Sequence, residues 1–160
     1  MTPRPAAAAD IPAVAALWHA VWHETHAPLA APELVAERGY DSFLARVERL
    51  APDLRVAGPA DGLLGFCATL NDELHALFLA PAARGTGLAP VLLADGEARL
   101  AAAGHNVIWL SCVIGNAPAH RFYERHGWTL RGPREIALNI ASGTIPGTVD
   151  IFDKAIAGRA

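Results

Sequence analysis

The chain has few of the residues that mark several common classes of protein. Its 160 residues include two cysteines, Cys67 and Cys112, and a single lysine, Lys154. Two cysteines make neither a disulfide framework nor a zinc signature. Each lies in an apolar run, so we expect two reduced thiols in the core. A phosphate-binding loop of the GxxxxGK[ST] type is excluded, because no lysine stands in a glycine-rich turn.

Charge of one sign and long apolar runs are also scarce. The formal net charge is -3, and no block of basic residues departs from that balance, so we expect no nucleic-acid partner. No apolar stretch approaches the 18 or more residues of a membrane span. Pro3, Pro5 and Pro12 interrupt the alanine-rich start, which is unlike a secretory signal. We therefore expect a soluble, cytoplasmic protein with no membrane partner.

The composition indicates a folded protein, and the order of the predicted elements indicates the α/β class. At 52% hydrophobic and 18% charged residues the chain is not intrinsically disordered, and its length fits one domain over residues 1–160. Early helices are followed by strands that alternate with helices, which is typical of a mixed α/β sheet. The predicted elements are a helix capped by Asp10, one helix over Glu33–Leu50 or two broken at Gly39, strands Asp53–Ala57, Leu63–Leu70 and Glu73–Leu79, helix Val91–Ala103, strand Val107–Ile114, a helix ending at Arg125, and strands Thr129–Ile140 and Thr148–Ala155. The apolar run Val107–Ile114 is typical of a central strand covered on both faces.

A glycine-rich turn between a strand and a helix carries the clearest chemistry. It reads Arg84-Gly85-Thr86-Gly87-Leu88-Ala89. The first amides of a helix lack internal partners and attract anions, and Arg84 adds a donor fork suited to phosphate oxygens. A dinucleotide-binding GxGxxG motif is not matched, since its third glycine is missing. The alternative is a helix start that needs glycines for packing, with Arg84 in solvent.

A second motif, Asn116–Trp128, begins another helix just after the Val107–Ile114 strand. Together the two motifs resemble those of the GCN5-related N-acetyltransferase (GNAT) family. Arg84, Gly87 and Ala89 match the family's glycine turn. The second motif is matched by Asn116, Ala119, Phe122, Tyr123, Gly127 and Trp128. The resemblance covers about residues 62–130 well and the N-terminal helices loosely.

The resemblance implies a fold and a reaction. The fold is a mixed, mostly antiparallel central sheet of six to seven strands flanked by about four helices. Strands Glu73–Leu79 and Val107–Ile114 would splay apart to bind acetyl-CoA. The implied activity is direct transfer of the acetyl group to a primary amine of a small molecule or peptide. The family often forms dimers, so a homodimer is an open expectation, and no metal is implied.

The resemblance also assigns site residues. Tyr123 would be the general acid that protonates the CoA thiolate; the alternative is that it packs beside Phe122. Glu73 and His75 are both candidates for the base, because residues two apart on a strand share a face. Glu73 is slightly favoured. The residues expected to bind acetyl-CoA are Leu77, Phe78, Leu79, Arg84, Gly85, Thr86, Gly87, Leu88, Ala89, Asn116, Ala119 and Tyr123.

Several alternatives stay open at the level of sequence. Asn116 is also a good helix cap. A non-catalytic acyl-CoA-binding module with the same fold is the main rival function. An enzyme that acetylates aminoacyl-tRNA is disfavoured by the acidic balance, and an acyl-Cys112 intermediate by the lack of a paired histidine. The acceptor is not identified, although Trp18, Trp22, His23, Glu24 and His26 cluster where the family binds it. Trp18 and Trp22 share a helix face that is more often core than pocket.

Overall fold

The computed structural model describes residues 1–158 of the chain. Five α-helices and seven β-strands follow one another along that part. The helices are α1 (Asp10–Thr25), α2 (Pro32–Glu37), α3 (Tyr40–Leu50), α4 (Leu88–Ala102) and α5 (Ala117–Arg125). The strands are β1 (Arg4–Pro5), β2 (Leu54–Ala57), β3 (Gly65–Leu70), β4 (Glu73–Leu79), β5 (Val107–Val113), β6 (Thr129–Ile140) and β7 (Gly143–Ala155).

The seven strands form one sheet in the order β1-β2-β3-β4-β5-β7-β6. All neighbours are antiparallel except β4 and β5, which run parallel. The predicted mixed, mostly antiparallel sheet is therefore confirmed. The helix count is five, because the Glu33–Leu50 segment is two helices that part around Gly39, whose extended backbone (ψ 173°) precedes α3.

The parallel pair β4–β5 is held together at one register position only. Glu73 lies opposite Trp109, and no later residue of β4 has a partner on β5. The backbone N–H and the indole N–H of Trp109 both donate to Asp72, at 3.3 and 3.0 Å. The two strands are thus fastened at their start and separate beyond it.

A β-bulge near the start of β4 changes which way its side chains point. Ala68 of β3 pairs with Ala76, whereas the next residue, Thr69, pairs with Leu74, so His75 is the extra residue. Leu74 packs in the core on one face of the sheet and Ala76 in the core on the other. A regular strand would place these two side chains on the same face.

The sheet separates two hydrophobic cores. On one face α4 and α5 cover a core that includes Leu92, Leu93 and Phe152. On the other face α1 and α3 cover a core that includes Phe43 and Phe66. Cys67 and Cys112 are buried free thiols, as predicted.

Three local expectations differ from the structure. Helix α4 begins at Leu88, three residues before the predicted Val91, because Pro90 fits the first helical turn. Strand β7 begins at Gly143, earlier than the predicted Thr148, and forms a long hairpin with β6. Strand β5 is not covered on both faces; buried and less buried residues alternate along it, and Val107 is 57% exposed.

Asp10 is a buried ion-pair residue and not the helix cap that the sequence predicted. It is the first residue of α1, and its side chain is 1% exposed. Its carboxylate accepts hydrogen bonds from the Arg4 guanidinium at 2.7 and 2.9 Å and from the Ala7 amide at 2.7 Å. The hydrogen bonds from Arg4, followed by that from Ala7, lower the pKa of Asp10 despite its burial. The interaction ties β1 to the start of α1.

We predict that Asp10→Ala lowers the free energy of unfolding by about 1–3 kcal/mol at neutral pH, because buried charge-assisted hydrogen bonds are lost. The folded pKa of Asp10 lies below its ordinary value, so this stabilisation is present above about pH 4 and is lost as the pH falls below it. Denaturant unfolding of both proteins across the acidic range measures the difference. Asp41→Ala, at an exposed first-turn acid of α3, is the matched control; an equal loss in both variants would contradict the role of Asp10.

Candidate functional site

A cavity of about 400 Å³ lies where β4 and β5 separate. Its wall includes Leu77 and Phe78 of β4, Cys112 of β5, Tyr123 of α5 and Trp18 of α1. Tyr123 packs against the core under α4 and α5, and Trp18 belongs to the core under α1 and α3. The cavity therefore passes through the sheet from one face to the other, at the gap between the two strands.

Glu73 and His75 form a hydrogen-bonded pair beside this gap. Nδ1 of His75 lies 2.7 Å from Oε1 of Glu73. The two side chains are in contact, but of the two only His75 lines the cavity. Glu73 is 12% exposed and lies behind the histidine. Because a neutral or charged imidazole can donate Nδ1–H to the carboxylate, Nε2 of His75 is the atom left for a ligand.

Tyr123 lines the cavity from α5 and packs against Phe122, Trp128 and Phe152. Among residues 1–158 its hydroxyl has no hydrogen-bond partner within the protein. Burial raises the pKa of Tyr123, and the neighbouring thiols of Cys112 and Cys67 add to the shift. The phenol therefore stays protonated across the neutral and moderately alkaline range, where it can donate a proton or a hydrogen bond.

Cys112 is poorly suited to act as a nucleophile. It lines the cavity, but burial, together with the charge of Asp150, raises its pKa to about 12. Thiolate is the reactive form of cysteine, and at neutral pH almost none is present at such a pKa. An acyl-cysteine route is thus disfavoured on physical grounds as well as by the sequence.

The glycine-rich turn has the backbone geometry of an anion site. Gly85 and Gly87 have φ values of +75° and +87°, a region that other residues rarely adopt. Nothing lies within 4 Å of the Cβ position of either glycine, so backbone conformation and not close packing requires them. Gly87 caps α4, and the Leu88 and Ala89 amides begin the helix, where no intrahelical acceptor is available. A second cavity of about 280 Å³ adjoins Thr86, Gly87 and Leu88.

Arg84 lies at this turn and contacts the far end of α1. Its Nη1 donates to Oε1 of Glu24 at 2.7 Å, and both side chains are about half exposed. An exposed ion pair contributes little to stability, so the guanidinium can exchange Glu24 for an anionic ligand at little cost.

The remaining predicted acetyl-CoA residues fall into two groups. Leu77, Phe78, Asn116 and Ala119 line the cavity, while Leu79 does not. Asn116 also caps α5, because its side chain accepts a hydrogen bond from the Ala119 amide at 3.3 Å. The cap alternative of the sequence analysis is therefore correct, and it leaves the amide nitrogen of Asn116 available.

The residues predicted to cluster at the end of α1, which also include His19, do not stay together. His19 packs against His23 and does not line the cavity. Trp18, Trp22 and His26 line the cavity, and both tryptophans are also core residues. His23 and Glu24 do not line the cavity. Nε2 of His23 is hydrogen-bonded to the backbone carbonyl of Arg38, and Glu24 forms an ion pair with Arg84. Burial and the positive charge of Arg46 lower the pKa of His26 to about 4, so its imidazole is neutral at neutral pH.

Sequence reasoning missed two parts of the cavity wall. One is the β6–β7 hairpin, which contributes Leu138 and Ile145; nothing in its local sequence signals this role. The other is Arg46 of α3. Phe43, Val47 and Leu50 form the buried face of that helix, and Arg46 stands at the i+3 position of the same face. A lone arginine on an apolar helix face was the available signal.

Metal-binding clusters and membrane-spanning helices are both absent from residues 1–158. No three metal-binding side chains come together there. None of the helices described is long and apolar enough to span a bilayer.

Comparison with solved structures identifies many chains of the same fold. Ribosomal-protein-alanine N-acetyltransferase from Brucella melitensis is 17% identical, with a TM-score of 0.72 over 98% of this chain and 100% of its own. PaiA N-acetyltransferase from Thermoplasma acidophilum, solved with coenzyme A, is 17% identical, with a TM-score of 0.71 over 96% and 98%. A phosphinothricin acetyltransferase of the GNAT superfamily from Sinorhizobium meliloti, solved with acetyl-CoA, is 17% identical, with a TM-score of 0.70 over 98% and 89%.

No curated protein sequence matches the chain significantly. The model of the acetyltransferase (GNAT) family, in contrast, matches residues 17–128. That span holds the second half of α1, helices α2–α5 and strands β2–β5, and with them the strand gap, the glycine turn, His75 and Tyr123. The chain therefore belongs to the GNAT acetyltransferase family.

Proposed function

We propose that this protein transfers an acetyl group from acetyl-CoA directly to a primary amine. The observation that carries the proposal is the cavity between β4 and β5, whose wall includes residues from the cores on both faces of the sheet. A donor and an acceptor can enter such a passage from opposite faces and meet in it. The coenzyme A and acetyl-CoA bound to fold neighbours support the identity of the donor.

The proposed donor site uses backbone groups of β4 and the glycine turn. Beyond Glu73, the edge of β4 that faces β5 has no strand partner. Its peptide groups can therefore bind the amides of the pantetheine arm as an added strand would. The helix amides at Leu88 and Ala89, with Arg84 beside them, fit the pyrophosphate.

Starting from the protonated amine, the acceptor nitrogen loses two protons, one before it attacks the thioester and one as the amide forms; one proton is taken up by the departing CoA sulfur and the other is released to solvent. An alkyl amine has a pKa near 10.4 and is almost wholly protonated at neutral pH, so a base is needed. We assign that role to Nε2 of His75, with Glu73 as the positioning residue that holds Nδ1. The assignment reverses the order favoured from the sequence, because His75 and not Glu73 lines the cavity.

Tyr123 is the proposed acid. Its raised pKa keeps the phenol protonated at neutral pH, so the hydroxyl carries the proton that the departing CoA sulfur takes up. Its place on the cavity wall, with no protein hydrogen-bond partner among the described residues, leaves the hydroxyl available for the thiol.

Arg84→Ala should weaken acetyl-CoA binding by about ten- to hundredfold, because a charge-assisted contact to phosphate is lost. Isothermal calorimetry with acetyl-CoA measures the change. Arg134→Ala removes an equal charge from an exposed position on β6 and should bind as the wild type does. Equal weakening in both variants would mean that Arg84 acts only through net charge. No binding by the folded wild type would remove the proposed function.

Tyr123→Phe should bind acetyl-CoA normally but lower kcat by about 10²–10⁴-fold, because the sulfur departs without a proton donor. The measurement is CoA release with a panel of primary amines. The chain has one other tyrosine, Tyr40, which is 37% exposed on α3, and Tyr40→Phe is the matched control. Unchanged turnover in Tyr123→Phe would show that Tyr123 only packs.

His75→Ala should lower kcat by about 10²–10⁴-fold, and more at neutral than at alkaline pH, where the amine loses its proton unaided. Glu73→Gln should have a smaller effect, because the amide still accepts the Nδ1 hydrogen bond. Measuring the reaction rate against pH for both variants tests whether the loss in His75→Ala is the larger one.

His105→Ala, in the loop before β5, is the control. A larger loss in Glu73→Gln than in His75→Ala would restore Glu73 as the base. Acetyl-CoA binding without turnover of any amine would favour the non-catalytic module.

A further inference from the structure

The acceptor end of the cavity contains an arginine that no protein group neutralises. Arg46 of α3 lines the cavity, and among residues 1–158 it forms no salt bridge and its buried Nη1 has no hydrogen-bond partner. Its guanidinium lies 4.2 Å from the centre of the Trp18 ring and 5.4 Å from that of Phe43. Stacking on aromatic rings holds the group in place but accepts none of its N–H bonds.

Burying such a donor without a partner is unfavourable unless a ligand supplies one. Burial and the charges of Arg38 and Arg49 lower the pKa of Arg46 to about 9, so the group still carries its charge at neutral pH. The indole N–H of Trp18, on the same wall, is also buried without a partner. The wall thus presents two N–H donors, from Arg46 and Trp18, that have no hydrogen-bond acceptor in the protein. An anionic ligand would supply the missing acceptors.

The rest of the lining excludes a strongly cationic acceptor. Within residues 1–158, Arg46 is the only arginine, lysine, aspartate or glutamate that lines the cavity. A polyamine or an aminoglycoside would bring several positive charges beside Arg46, with no carboxylate to bind them. Much of the rest of the cavity wall is apolar and includes Trp22, Leu29, Leu34 and Leu138. Such a wall fits a ligand with one anionic group and an apolar part.

We propose that the acceptor is a small amine that also carries a carboxylate, an amino acid with an apolar side chain, and that Arg46 binds this carboxylate. The planar guanidinium fork matches two carboxylate oxygens. A cavity of about 400 Å³ is within the range of small-molecule sites and is large enough for a free amino acid. This inference rests on the proposed acetyl transfer and names the acceptor class for it.

The test compares matched acids and amides as acceptors. L-leucine, L-phenylalanine and L-methionine are assayed against L-leucinamide, L-phenylalaninamide and L-methioninamide, with spermidine and kanamycin as cationic amines. We expect kcat/KM to be about ten- to hundredfold higher for the acids than for their amides. The negative carboxylate makes an amine harder to deprotonate, so amine chemistry alone would favour the amides.

Variants then assign the preference to Arg46. Arg46→Gln should reduce the acid-to-amide ratio to about unity by raising KM for the acids, while rates with the amides change little. Arg46→Lys should keep part of the preference, and Arg49→Gln, at an exposed arginine of the same helix, should keep all of it. A merely structural role would lower acid and amide rates equally. Thermal unfolding shows whether each variant is folded. If Arg46→Gln does not fold, the acid-to-amide ratio of the wild-type enzyme still tests the proposal.

A binding measurement separates this inference from the proposed function. Trp18 lies against Arg46, so its fluorescence should change on titration with L-leucine or L-phenylalanine and not with the amides, with or without CoA present. Failure to bind acetyl-CoA would overturn the acetyl transfer alone. The inference is overturned if amides or cationic amines are preferred, if Arg46→Gln affects acid and amide equally, or if the amino acids neither react nor change the fluorescence.

Discussion

The separation of β4 from β5 is the structural constraint on which the site depends. A continuous sheet would keep its two faces apart, because every backbone group between neighbouring strands would be paired. Here the parallel pair is joined only where Glu73 meets Trp109. Beyond that point β4 is held by β3 and β5 by β7, so the fold keeps seven strands in one sheet and still contains a passage through it. The cavity, the free edge of β4 and a cavity wall drawn from both faces of the sheet follow from this one gap.

The arginines at the two ends of the site have opposite environments. Arg84 is exposed at the glycine turn, where solvent and Glu24 share its charge. Arg46 is enclosed between aromatic rings, where neither solvent nor a carboxylate reaches Nη1. An exposed guanidinium attracts anions but discriminates little between ligands. A buried guanidinium discriminates strongly, because a ligand without a hydrogen-bond acceptor leaves its N–H groups unpaired. In the proposed mechanism, Arg84 attracts acetyl-CoA and Arg46 determines which acceptor binds.

Much of the architecture could be predicted because its signals are local. Apolar runs bounded by turn residues located β3, β4 and β5, and the glycines of residues 84–89 marked a turn with positive φ before α4. Helix and strand ends were less accurate. The start of α4 was predicted three residues too late, because Pro90 lies in its first turn. Asp10 is a residue type typical of helix caps, but its side chain instead pairs with Arg4. Caps and ion pairs use the same residue types, so sequence alone does not separate them.

The site was predicted less completely, because facing directions depend on distant contacts. The bulge at His75 arises from the pairing of β4 with β3, and it reverses the alternation that would put Leu74 and Ala76 on one face. It also brings His75 to the cavity with Glu73 behind it. The wall from the β6–β7 hairpin had no local signal, since it reaches the cavity only through the sheet order.

The sequence by itself determined the kinds of chemistry that are present: a turn that must adopt positive φ, a helix start able to bind an anion, a tyrosine after a capping asparagine, and the absence of a metal-binding cysteine set. Each of these follows from a few consecutive residues whose preferences are intrinsic. Only the tertiary structure decided which side chains meet. It put His75 in the cavity, left Arg46 without a partner and opened the sheet between β4 and β5, because those outcomes depend on which strands pair and what packs against them.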